Sequence, residues 1–141
     1  RERDRVARRM ITTKDKLFTL WIFVTVNYIF CDIFTLFYSE NLKQLMSGAM
    51  GGMDITETFL FAFSVIMELP MLMIVLSRLL PYKFNRLANI AVGIFMTLVQ
   101  TATLFGDNML HYVFFSIIEI TTTIIIVWIA IRWKTKNNNT L

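Results

Sequence analysis

The stretch from Thr58 to Leu80, TFLFAFSVIMELPMLMIVLSRLL, contains one acid, Glu68, and one base, Arg78, in an otherwise apolar run. At about 1.5 Å of rise per residue, a helix of this length covers the roughly 30 Å hydrocarbon core of a bilayer. Its apolar residues do not alternate, which excludes a strand. Three more runs share the character: Leu17 to Tyr38, Leu87 to Phe105 and Tyr112 to Trp133. A membrane barrel would need many shorter alternating segments. The reading is all-α: an integral membrane four-helix bundle over residues 17–133, with an N-terminal segment 1–16 and a tail 134–141.

Composition agrees. Of the 141 residues, 56% are hydrophobic, above the roughly 45–50% usual in soluble domains. The net charge of +4 does not point to nucleic acid, because the basic residues sit at the edges of apolar runs. Seven lie before the first span, Arg78, Lys83 and Arg86 between the second and third, and Arg132, Lys134 and Lys136 after the fourth. Only Lys43 falls on the opposite side, so thirteen of the fourteen basic residues share one side. The positive-inside rule makes that side cytoplasmic, with both termini in. Met10 is a candidate native start, in which case residues 1–9 are a leader from an expression vector; otherwise they are a charged cytoplasmic helical extension. Leaving them out does not change the orientation.

The first outer loop, residues 39–56, is rich in glycine and methionine. Two readings stand: a short lid-like helix at 40–47 followed by a glycine turn, or a plain connection. Its Leu42, Leu45, Met46, Met50 and Met53 suit the membrane surface or a cap on the bundle.

Asp32, Glu68 and Glu119 are acids inside the spans, accompanied by Asn27, Asn89 and Gln100. A charge at the bilayer centre costs at least roughly 2.5–3.5 kcal/mol, so such groups face the interior, find a partner or keep a proton. No base lies at their depth. At neutral pH at least one of the three acids is expected to be protonated. Helical spacing sorts the polar residues into stripes. Thr25, Tyr28, Asp32 and Thr35 fall on the first helix, and Glu57, Phe61, Ser64 and Glu68 on the second. Asn89, Gly93, Met96 and Gln100 form the third stripe, and Tyr112, Ser116, Glu119 and Thr123 the fourth. Gly93 would permit close helix approach. The expected ligand site is Asp32, Glu68, Glu119, Asn27, Gln100 and Tyr28, lining a polar cavity biased to the outer side. Packing by interhelical hydrogen bonds is the competing account of the same residues.

Other chemistries lack their residues. Cys31 is the single cysteine and His111 the single histidine, which argues against a disulfide pair, a histidine metal centre or haem ligation. No nucleophile elbow, phosphate loop or dinucleotide glycine motif occurs. No catalytic residue, metal ligand or cofactor is assigned. Enzymatic chemistry would have to rest on carboxylates alone.

The stretches Lys16-Leu17-Phe18-Thr19-Leu20-Trp21-Ile22-Phe23 and Asn27-Tyr28-Ile29-Phe30-Cys31-Asp32 resemble the opening of a family of small bacterial four-span membrane proteins. Met67-Glu68-Leu69-Pro70, Asn85 to Ile90 and Phe114 to Glu119 fit the same family. It is catalogued only as a domain of unknown function. The resemblance, over about residues 14–134, implies a bacterial inner-membrane location and no particular activity. In its order of elements the chain is also similar to DoxX-like four-helix proteins, some of them linked to quinone-coupled oxidation. Three functions follow as expectations: binding or transport of a cation, protons or a small polar ligand, with a homodimer as the working unit; handling of a lipid or quinone; or a structural role beside a partner chain.

Overall fold

The computed structural model describes residues 11–106 and 109–134. Residues 1–9, Met10, Asp107 and the tail after Lys134, on which several sequence expectations fall, lie outside the described residues. Within them the chain forms α1 (Thr13–Phe37), α2 (Ser39–Met46), β1 (Ala49–Met50), β2 (Met53–Asp54), α3 (Glu57–Leu79), α4 (Tyr82–Thr103) and α5 (Leu110–Arg132).

Local chemistry sets the boundaries. Thr12 and Asp15 form a reciprocal capping box at the start of α1, with both backbone-to-side-chain bonds at 3.2 Å. Thr56 Oγ1 accepts from Phe59 N at 3.1 Å to start α3. Leu80 is extended because proline follows it, and Pro81 takes the N-cap position of α4. One proline thereby ends one long helix and begins the next. Between α2 and α3, Gly51 and Gly52 have φ of 57° and 78°. Consecutive positive φ is what a two-residue hairpin turn demands, and the hairpin pairs Ala49 with Asp54 and Met50 with Met53. Residues 39–56 are therefore a helix and a glycine hairpin, which decides between the two readings of that loop.

The four long helices alternate in direction. Lys14 Nζ donates to Leu80 O at 2.8 Å, and Tyr82 OH donates to Trp133 O at 2.6 Å. The start of α1, the α3–α4 turn and the end of α5 thus share one end of the molecule. At the opposite end Thr35 Oγ1 lies 3.4 Å from His111 Nε2. Helix α1 packs on α3 and α5, and α4 packs on α5 and less extensively on α3. Leu17, Trp21, Val24 and Tyr28 of α1 meet Met73, Met96 and Ile126 in the core. Gly93 lets α4 approach α5, since a Cβ there would sit 2.6 Å from Val127 Cγ2.

Three helices, α1, α3 and α5, are long and apolar enough to cross a membrane. Helix α4 has 22 residues but is not among them. Asn85, Arg86, Asn89 and Gln100 make it the more polar element. Helix α3 is the least embedded. Its buried residues, Pro70, Met73 and Ser77, all lie in the half beside the α3–α4 turn. Its other half, from Glu57 to Val65, is exposed or half-buried throughout.

Candidate functional site

Polar side chains meet between the long helices in two layers. The layer nearer the α3–α4 turn is closed. Ser77, Asn85 and Asn89 are fully buried there, as is Trp21. Trp21 Nε1 donates to Asn89 Oδ1 at 2.7 Å. Asn89 Nδ2 donates to Asn85 Oδ1 at 2.7 Å and to Asn85 O at 2.8 Å. Asn85 Nδ2 in turn donates to Ser77 O at 2.7 Å, and Ser77 Oγ to Met73 O at 2.5 Å. This chain ties α1, α3 and α4 together with its donors used. Buried polar groups are tolerated when paired in this way.

The basic residues at the same end are engaged with helix ends. Arg86 donates from Nε to Ala130 O at 3.1 Å and from Nη2 to Ile131 O at 2.9 Å. Lys14 reaches Arg78 O at 3.2 Å as well as Leu80 O. Both place a cation on the last carbonyls of a helix, where the macrodipole favours it. Arg78 pairs with Asp15 at 3.2 Å and stacks over the Phe18 ring at 4.2 Å. These side chains therefore fasten helix termini as well as carrying charge.

The second layer lies where α1 and α4 meet α5, toward the α2 end, and it is only partly paired. Thr97 Oγ1 and Thr123 Oγ1 are 2.7 Å apart, and Gln100 Nε2 donates to Ser116 Oγ at 2.9 Å. Glu119, one turn on from Ser116, is fully buried. Neither of its carboxyl oxygens has a hydrogen-bond partner among the described residues, nor do the buried Tyr28 OH and Thr25 Oγ1. Glu119 is in electrostatic reach of Tyr28, Cys31 and Asp32 on α1 and of Tyr112 on its own helix. Four buried polar atoms on α1 and α5, two helices that pack on each other, thus lack partners among the described residues.

The six residues expected to form the site are divided. Tyr28 and Glu119 are together. Gln100 is buried one turn away and reaches the site through Ser116. Asp32 is exposed yet interacts with Glu119, so it lies at the edge of the site. Asn27 is half-buried and donates to Phe23 O of its own helix at 2.8 Å. Glu68 is exposed on α3 and does not join the others. Thr25 belongs with Tyr28 by its spacing of three. Asn85 lies before the span expected at Leu87 to Phe105, yet α4 begins at Tyr82, and the spacing of four from Asn89 is the signal that places both on one face.

A buried ionised carboxylate with no partner costs several kcal/mol. Glu119 can escape that cost by holding a proton or by accepting hydrogen bonds from a guest. Among the described residues no three His, Cys, Asp or Glu side chains converge as a metal site would require. The carboxyl of Glu119 can exchange a proton and accept hydrogen bonds, and Tyr28 and Thr25 can each donate or accept.

The chain belongs to the family of unknown function DUF6326, whose profile spans residues 9–140. No curated protein and no solved structure matches it.

Proposed function

We propose that the protein crosses a bacterial cytoplasmic membrane four times, with both termini inside, and takes up protons or a small ammonium-type cation at Glu119. The observation that carries this is the buried, unpartnered carboxyl of Glu119, with the unpartnered hydroxyl of Tyr28 in electrostatic reach of it. A proton or an N–H donor is what the carboxyl oxygens lack. Exposed Asp32 would pass the cation inward from the outer side. The fourth span is α4, whose Asn85 and Asn89 are paired inside and so do not face lipid. The orientation rests on the distribution of Lys and Arg.

Uptake of labelled methylammonium into proteoliposomes, driven by an inside-negative potential, tests the reading. The wild type should accumulate the probe, and Glu119→Gln should lose at least about tenfold of the rate, equivalent to 1.4 kcal/mol of barrier. Equal uptake by wild type, variant and protein-free vesicles would contradict it.

The working unit in this reading is a homodimer joined through the exposed half of α3. Glu68 faces out of the single chain from a helix that must sit in hydrocarbon, at a cost of roughly 2.5–3.5 kcal/mol. Ser64 lies on the same face, four residues earlier. A second copy brings the same two side chains, which can hydrogen-bond across the interface. With the buried Cys31 as background, Ser64→Cys in vesicles should give a disulfide-linked dimer on mild oxidation. A variant that stays monomeric under that treatment would remove the dimer from the account.

A further inference from the structure

Three of the chain's nine methionines fall within eight residues, as Met46, Met50 and Met53. They do not serve as core. Met46 is 81% exposed and Met53 58%, while Met50 is 37% exposed. The backbone brings two of them side by side and the third close by in the chain. Met50 and Met53 are directly paired across the hairpin, so their side chains leave the same face with Cβ atoms about 4.5–5.5 Å apart. Gly51 and Gly52 hold the turn by positive φ with no side chains to obstruct that face.

Met46 ends α2, and α2 packs against β1. The end of α2 is tied to the hairpin through the backbone of Gly48. Gly48 N donates to Leu45 O at 3.0 Å, and Ile55 N donates to Gly48 O at 2.8 Å. The only charged side chains of α2, Glu40 and Lys43, pair with each other at 3.2 Å.

From this juxtaposition we propose that Met46, Met50 and Met53 form a three-thioether site for a soft monovalent metal ion, Cu(I) or its stand-in Ag(I). Thioether sulfur is a soft, neutral ligand that selects such ions over Mg²⁺, Ca²⁺ or Zn²⁺. A flexible unbranched side chain lets each sulfur adjust to the ion. The site is separate from Glu119 and stands or falls independently of the function proposed above.

The test is titration of the full chain in lipid nanodiscs with Ag(I), read by the ε-methyl NMR signals of labelled methionine. The signals of Met46, Met50 and Met53 should shift together and saturate at one ion per chain. The double variant Met50→Leu, Met53→Leu keeps size and apolarity and should bind at least about tenfold more weakly. Its melting temperature should match the wild type. If the double variant binds as tightly as the wild type, the proposal fails. It also fails if the three methyl signals stay fixed while Ag(I) goes to Cys31 or to other methionines.

Discussion

Asn89→Ala should be the most destabilising single substitution in the protein's polar interior. It removes the acceptor for Trp21 Nε1 and the donor for Asn85 Oδ1 together. Both remaining groups are fully buried, so neither is resolvated by bulk water. Interhelical hydrogen bonds in membranes average only about 0.6 kcal/mol when both partners are removed cleanly. Stranding a buried donor or acceptor costs about 1–3 kcal/mol each. The second effect dominates, and the loss should be on the order of 3 kcal/mol. Thermal unfolding in a mild detergent, followed by Trp fluorescence, gives the value.

Glu119→Met should have the opposite sign. Methionine fills a similar volume without the carboxyl, whose oxygens contribute no hydrogen bond within the chain. Removing an unsatisfied buried polar group should raise stability by about 1–3 kcal/mol, while ending uptake at the site. Tyr28→Phe should follow in milder form, because the hydroxyl it deletes is also unpartnered. The same detergent melts read both variants. Residues that stabilise a fold lose stability when replaced. Residues that hold a guest often cost stability, so a gain on replacement separates the two roles.

Long apolar runs made the helical elements legible without any structure. Spacing also foretold the buried stripe Asn89, Gly93, Met96 and Gln100 of α4, all four of which are buried. Spacing identifies a face, however, and not what that face meets. Glu57, Phe61, Ser64 and Glu68 do share a face of α3, but it is the uncovered one. Tyr28 and Asp32 illustrate a finer limit. A step of four residues turns a helix by about 40° past a full turn, enough to bury the first and leave the second at the edge. Asn85 was hidden for a different reason. Its helix begins at Tyr82, directly after Pro81, and a polar, basic stretch does not announce that it will be half core. The capping roles of Lys14 and Arg86 depend on carbonyls 66 and 44 residues away, which no local pattern encodes.

The protein has two polar layers of opposite character, one fully paired, the other only partly paired around the buried Glu119. Melting Asn89→Ala and Glu119→Met side by side against the wild type tests that contrast most directly. The prediction is a lowered melting temperature for Asn89→Ala and a raised one for Glu119→Met. If Glu119→Met falls as far as Asn89→Ala, Glu119 is part of the packing, and the site assigned to it does not exist.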